Sequence, residues 1–425
     1  MDALTHYLRK KNTLPPFISE PPARQLKYAV IIPVFNEPDL PQTLTSLANT
    51  HKPGEPVEII LVINGSESTP EQILEQNRKT KEEVEKLSDS KEFPLKIHVI
   101  YKEDMPPQLM GAGYARKIGM DEAIHRFESI NREDGIIISL DADTLCDKNY
   151  FTAIEKTVYQ NPALNAGILF FEHPTEGSEF SENVYKGIRQ YELFLRYYKQ
   201  ALKFSGFPFI FHTIGSAFFV KALAYAKQGG MSQRKAGEDF YFLNKLFQLG
   251  NIQEITETRI QPSPRPSERV LFGTGPEIKK FTEQSELDYM TYHPDFFSGL
   301  KQFFAMIERF YYNTDQGINN TIQKLPLFIQ TFLMKNKGEE NIQRILNNCK
   351  SPYIFRKHFF LWFNGLKIIR LVHEAHETTF SKIPLFEAAK TMLEYRGFKN
   401  IQIDNYKDLL NYYRHIELNH PVSIK

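Results

Sequence analysis

The sequence predicts an α/β architecture: a mainly parallel sheet flanked by helices and followed by a helical C-terminal region. Three observations carry that reading. Apolar runs suited to strands alternate with helical segments from residue 28 to about residue 145, the pattern of a three-layer α/β domain. One run, Gly135 to Leu140, is unbroken and ends in Asp141-Ala142-Asp143, as expected of a strand buried on both faces that opens onto a ligand crevice. From about residue 290 the pattern is helical and aromatic.

Taken in order, Met1 to Lys27 reads as an arm, with Arg9-Lys10-Lys11, four prolines and no apolar signal core. Tyr28 to Glu37 is a strand running into a turn that contains Pro and Asn, and Leu40 to Asn49 carries Leu40, Leu44 and Leu47 at helical spacing. Val57 to Ile63 is a second strand, closed by Asn64-Gly65-Ser66, so the chain opens as a right-handed β-α-β unit. Thr69 to Ser88 is charged with sparse apolar positions and predicts a surface helix; Lys96 to Tyr101 is a third strand. Gly111-Ala112-Gly113 starts a helix carrying Arg116, whose glycine-rich entry suits phosphate. After the Gly135 strand come a helix from Phe151, a strand at Ala166 to Phe171, and an amphipathic helix from Ser181 to Lys203.

Thr213 to Val220 reads as loop then strand, Ala222 to Gln228 as a helix stopped by Gly229-Gly230, and Gly237-Glu238-Asp239 as the start of another helix. Gln261 to Arg269 is proline-rich, too stiff for a flexible linker, and presents Arg265 and Arg269 to phosphate. Phe296 to Phe310, Ile318 to Met334 and Tyr406 to Leu418 are predicted helical, and His373-Glu374-Ala375-His376 lacks the spacing of a zinc-protease pair.

At 425 residues with 24% charged residues and a formal net charge of +1, the composition is that of a soluble domain and gives no nucleic-acid footprint. The excess of aromatics, 34 Phe and 21 Tyr, fills cores or lines an acceptor groove. Cys146 and Cys349 are too few for a disulfide framework, which predicts a reducing, cytoplasmic setting. No apolar run of membrane-spanning length is free of charge. Phe204 to Val220 and Tyr353 to Ile369 come nearest, and read as core or as surface for peripheral membrane contact.

Asp141 and Asp143 stand where strand gives way to loop and offer hard oxygen ligands for Mg²⁺ or Mn²⁺, with a diphosphate completing the shell. Alone, Asp-x-Asp is turn chemistry, and an acid at a helix start, such as Asp239, is a cap.

In combination, residues 27 to 275 resemble family 2 glycosyltransferases of the GT-A fold. Ile31 to Glu37 resembles that family's opening strand and nucleotide-contacting turn, and Ile60 to Ser66 its second strand. Ala115 to Gly119 resembles the helix before the metal site, and Asp141-Ala142-Asp143 the metal motif. Gly215-Ser216 with Gly229-Gly230 resembles the acceptor-side segment, and Glu238-Asp239 the acidic pair that supplies the base. The resemblance implies an N-terminal arm at 1–27, a GT-A Rossmann-like domain at 28–285 and a helical region at 286–425. It implies a metal-dependent, hexosyltransferase-like enzyme that moves a sugar from a nucleotide-diphosphate sugar to an acceptor hydroxyl with inversion, the acceptor being a glycan, a lipid-linked sugar or a small molecule. Asp239 is then the general base with Glu238 in support. Pro33, Asn36, Glu37, Asn64, Arg116, Asp141, Arg265 and Arg269 hold the donor, and Asp141 and Asp143 the Mn²⁺ or Mg²⁺. The sequence departs from the family at Ile63-Asn64, where an acidic residue is usual, which turns the expectation from UDP towards GDP or another nucleotide. Its Ser267-Glu268-Arg269 and Phe272-Gly273 segment also lacks the motif of processive relatives.

Two other readings compete. Asp141-Ala142-Asp143-Thr144-Leu145 also looks like the first motif of haloacid-dehalogenase-type phosphatases, with Asp141 as nucleophile and Asp143 as acid/base. A non-catalytic sugar- or nucleotide-binding protein on the same fold would accommodate the altered Ile63-Asn64 site.

Overall fold

Runs of β-branched and aliphatic residues build the centre. In the computed structural model, which describes residues 2–424 apart from 11–12, 91–92, 234–236, 268–272, 284–287, 313–316 and 400, the chain forms two compact units, residues 1–188 with 213–283 and 417–425, and residues 189–212 with 284–416. In the first, α1 (Ala3–Leu8) precedes β1 (Tyr28–Val34), α2 (Leu40–Ala48), β2 (Val57–Asn64), α3 (Glu71–Asp89), β3 (Lys96–Lys102) and α4 (Ala112–Ser129). Then come β4 (Ile136–Ser139), β5 (Thr144–Cys146), α5 (Tyr150–Gln160), β6 (Ala166–Phe171) and α6 (Glu182–Ser205), whose later turns belong to the second unit. The first unit ends with β7 (Phe218–Lys221), α7 (Ala222–Lys227), α8 (Glu238–Phe247), β8 (Ile252–Pro262), α9 (Thr274–Glu283) and a terminal strand, Ser423–Ile424.

Strand order along the sheet is terminal strand, β8, β6, β7, β4, β1, β2, β3, with β5 paired to β8. The β3-β2-β1-β4 half is parallel, and β7 enters antiparallel beside β4. All residues of β1, β2 and β4 are buried, which explains their continuous apolar runs. The α/β class and mixed, largely parallel sheet expected from the sequence are those observed.

Helix α4 closes the sheet, and its burial is nearly complete from Gly113 to Ile124. Gly119 allows the approach: a Cβ there would stand 2.5 Å from Ile31 Cγ2 and 3.1 Å from Val62 Cγ2. Five charged residues of α4 (Arg116, Lys117, Asp121, Glu122 and Arg126) are buried with it, and buried charge is tolerated when paired. Asp121 accepts from Tyr7 Oη at 2.6 Å and Tyr225 Oη at 2.8 Å, and Glu122 from the Phe17 N–H at 2.7 Å. Arg126 grips Glu58 of β2, with His98 alongside. Burial alone would raise Glu58, but hydrogen bonds from His98 and Arg126 outweigh it and hold the carboxyl down at about 2. The N-terminal arm is thus bonded to the outer side of α4.

Two strands differ from the sequence reading. The eleven-residue β8 covers a stretch that offers no clean alternation, because its pairing with β6 slips between Leu169 and Phe170, from Ile255 to Arg259. The short β5 pairs with the end of β8, so Gln261 and Pro262 are strand rather than the start of a loop.

The second unit is helical. Its aromatic excess is core: Phe303 and Phe363 lie 5.1 Å apart edge to face, and Phe296, Phe303, Phe359 and Phe363 are fully buried. Stripping one such ring to Ala would cost about 3–5 kcal/mol. Pro326 splits the expected 318–334 helix into Ile318–Ile322 and Leu327–Lys335. Buried Glu192 receives Arg414 Nε at 2.7 Å and Arg196 Nε at 2.9 Å. His373 contacts Tyr292 Oη at 2.9 Å and His376 Nε2 accepts from the His293 N–H at 2.8 Å, so both serve the packing of this unit. Among the described residues, no helix is long and apolar enough to cross a membrane.

Candidate active site

The buried strand β4 ends at Ser139 and delivers Asp141-Ala142-Asp143 as a turn, closed by the Thr144 N–H on the Asp141 carbonyl at 3.2 Å. Thr43 Oγ1 donates to the Ala142 carbonyl at 2.8 Å and the Ser263 N–H to the Asp143 carbonyl at 3.1 Å. The motif is therefore a turn held from both sides, and its carboxylates part company. Asp141 Oδ1 accepts from Arg116 Nη2 at 2.6 Å, whereas Asp143 Oδ2 lies 3.8 Å from Arg265 Nη2.

Arg116 centres the first cluster. Its guanidinium, buried in α4, bonds Asp141 through Nη2 and Glu238 through Nη1. Gly215 makes room for it, since a Cβ there would stand 2.8 Å from Nη2, and Ser139 Oγ fixes that loop by donating to the Gly215 carbonyl at 2.6 Å. Arg116 thus spends two of its nitrogens on carboxylates. Gly237, at φ 68°, turns the chain into α8 and sets Glu238 and Asp239 in its first turn. Asp239 accepts only the Phe240 N–H, at 2.7 Å, among the hydrogen bonds of the described residues. Burial, then the charge of Glu238, push its carboxyl up to about 7, against the opposing pull of Arg116 and the Phe240 N–H.

Arg265 centres the second cluster, on the segment after β8. Nη2 bonds both oxygens of Glu37, at 2.7 and 2.8 Å, and Nη1 bonds Asp39 Oδ2 at 2.9 Å. Glu37, expected to meet nucleotide, is buried and holds Arg265 instead of facing outward. Beside this cluster opens a shallow cleft lined by Asp39, Thr43, Asp143, Phe180, Gln261 and Ser263 among others. Neither Arg116 nor Asp239 lines it. Arg269 lies outside the described residues.

The third group is at the ends of β1 and β2. Pro33 is buried in β1, and Asn36 follows in the left-handed region at φ 50°. Its N–H donates to Asn77 Oδ1 at 2.9 Å, and Asn77 Nδ2 donates to the Asn64 carbonyl at 3.0 Å. Both amide atoms of the Asn64 side chain are buried without a hydrogen-bond partner among the described residues. A buried amide left so costs about 1–3 kcal/mol per group, which marks a place for a ligand or water. Sequence reasoning overlooked Asn77, Asp39 and Thr43; for Asn77 only an Asn within an otherwise charged helix could have drawn notice.

A divalent cation is implied by the family motif. Asp141 and Asp143 offer carboxylate oxygens of the hardness Mg²⁺ and Mn²⁺ prefer, and Asp141 keeps its second oxygen outside the Arg116 bond. Among the described residues no group of three His, Cys, Asp or Glu could hold a metal. The donor set fits a cation whose shell a diphosphate completes.

The family model for glycosyl transferase family 2 matches residues 29–225. That span takes in Asn36, Asn64, Arg116 and the Asp141-Ala142-Asp143 turn. This chain carries a family 2 glycosyltransferase domain. The match sets the phosphatase reading of the acidic turn aside, and the chain is a glycosyltransferase. Among solved structures, S. aureus TarS 1-349 in complex with UDP-GlcNAc is similar at 14% identity and a TM-score of 0.39, covering 93% of this chain and 89% of that chain. The complex of TarS 1-349 with UDP gives 13% identity and 0.38, with 92% of each chain covered. S. aureus TarS gives 14% and 0.35, with 83% of this chain and 55% of that chain covered. No curated protein matches by sequence.

Proposed function

We propose that this glycosyltransferase moves a sugar from a nucleotide-diphosphate sugar to an acceptor hydroxyl by direct displacement, inverting the anomeric carbon. The observation that carries the reading is the placement of Asp239 in the first turn of α8, next to Glu238, whose partner Arg116 also holds Asp141 of the acidic turn; burial and the charge of Glu238 push the Asp239 carboxyl up to about 7. A general base works best with a pKa near the operating pH. Asp239 takes the acceptor proton as the new bond forms. Glu238, tied to Arg116, fixes the helix start and adds the negative charge that keeps Asp239 basic.

Asp143, with Asp141, would hold Mg²⁺ or Mn²⁺, which when bound neutralises charge on the departing diphosphate. Arg265 stands 3.8 Å from Asp143, and with its charge offset by Glu37 and Asp39 it orders that side of the site; Arg269 is assigned to the diphosphate from its position in the sequence. Pro33, Asn36 and Asn64 form the nucleoside end. An amide both donates and accepts, so Asn64 can pair with the imide edge of uracil as well as with a purine edge. UDP therefore stays beside GDP as a donor candidate, although the sequence lacks the usual acid. We place the enzyme in the cytoplasm, with peripheral membrane contact if its acceptor is lipid-linked.

Asp239→Asn is the test. It should fold, bind a nucleoside diphosphate with Mn²⁺ and lose transfer by about 10²–10⁴-fold; full transfer by that variant would remove Asp239 from the base role.

A further inference from the structure

We propose that Asn77 sets the nucleobase preference of the donor site by fixing Asn36 and Asn64 relative to each other. The inference rests on the donor reading above. Parallel pairing of β1 with β2 ends at Val34 and Ile63. Beyond that point no ladder registers the two strand ends, although both carry residues of the nucleoside end. Asn77 takes over that task. It projects from α3, a helix of surface composition, yet it is 1% exposed.

Its amide is used at both ends. Oδ1 accepts from the Asn36 N–H at 2.9 Å and Nδ2 donates to the Asn64 carbonyl at 3.0 Å. One planar group therefore spans the turn after β1 and the last residue of β2. Asn36 stands at φ 50°, a left-handed conformation that Asn adopts more readily than most residues, and the bond to Asn77 fixes its N–H in that turn. Asn64 depends on it differently. Its side-chain amide is buried and has no partner among the described residues, and the direction in which that amide projects follows from the backbone that the β3 ladder holds on one side and Asn77 on the other. A base edge read by Asn64 is read in the orientation Asn77 imposes. Asn77 is thus a positioning residue for specificity.

The substitution Asn77→Asp keeps an acceptor for the Asn36 N–H but replaces the donor to Asn64 with a repelling oxygen. Asn77→Ser removes both bonds without adding charge and serves if the Asp variant does not fold. Titration calorimetry with UDP, GDP, CDP, dTDP and inorganic pyrophosphate, each with Mn²⁺, reads the effect. The ratio of best to worst nucleotide affinity should fall about tenfold in the variant while pyrophosphate affinity stays within about twofold, since a site that hydrogen-bonds its ligand discriminates through those bonds. With sugar nucleotide, KM should rise and kcat stay close to that of the unchanged enzyme. An unchanged selectivity ratio overturns the clamp alone, and so does an equal loss for every ligand, pyrophosphate included. Wild-type protein that binds pyrophosphate but no nucleotide would remove the donor reading and the clamp together.

Discussion

Arg116 holds Asp141 at 2.6 Å while its other terminal nitrogen holds Glu238, so one buried guanidinium joins the acidic turn to the start of α8, where Asp239 stands. Removing it strands two carboxylates. Arg116→Ala should destabilise the protein by about 3–5 kcal/mol, the usual cost of leaving buried charge unpaired, measurable as a lowered urea midpoint. Gly215→Ala tests the same joint more gently. Its methyl would stand 2.8 Å from Arg116 Nη2, and activity should fall while the fold persists by circular dichroism.

Asp239 gives the enzyme a pH signature. Its carboxyl, at about 7 in the fold against 3.8 as the ordinary value, binds a proton more tightly folded than unfolded. Its contribution to stability is therefore full below about 4 and is lost as pH rises through about 7. Asp239→Asn should gain stability relative to the native protein between pH 5 and pH 8. In transfer assays the native enzyme should show an acidic limb in kcat/KM near pH 7, and a flat profile from pH 5 to 9 would contradict the assignment.

Ligand-dependent stability separates the donor end from the base. A nucleoside diphosphate with Mn²⁺ at one hundred times its Kd should stabilise the native protein by about 2.7 kcal/mol. Asp143→Asn should abolish most of that gain, while Asp239→Asn should keep it. Thermal shift with and without chelator reads both.

Close packing of α4 on the sheet makes Gly119 sensitive. A methyl there meets Ile31 and Val62 of adjacent strands, and both neighbours are fully buried. Gly119→Ala should cost about 1–3 kcal/mol, the range for overpacked cores, despite the gain in helix propensity.

Much of the fold could be read from sequence because burial on both faces leaves unbroken apolar runs, as in β1, β2 and β4. β8 could not, since a slip in its pairing scrambles the alternation that marks a strand. At the site, the acidic turn and the Glu238-Asp239 helix start were legible as motifs, but their partners were not. Arg116 looks like any helical arginine until a fold brings it to residues 25 and 122 positions away. Arg265 was expected on phosphate and is found on Glu37 and Asp39, a pairing across more than two hundred residues that no local pattern encodes. Asn77 shows the same limit. A single polar residue in a charged helix has no periodic signature, however deeply it is buried.

The parting of Asp141 and Asp143 has a thermodynamic consequence. Two carboxylates one residue apart answer to different arginines, so their substitutions probe separate free energies, one linked to Glu238 and one to Glu37 and Asp39. In a double-mutant cycle on the stability of the metal-free protein their effects should come close to adding, apart from whatever passes through the Ala142 peptide that Thr43 restrains. With a cation bound, the excess over additivity would measure how strongly a shared ion ties the two carboxylates together.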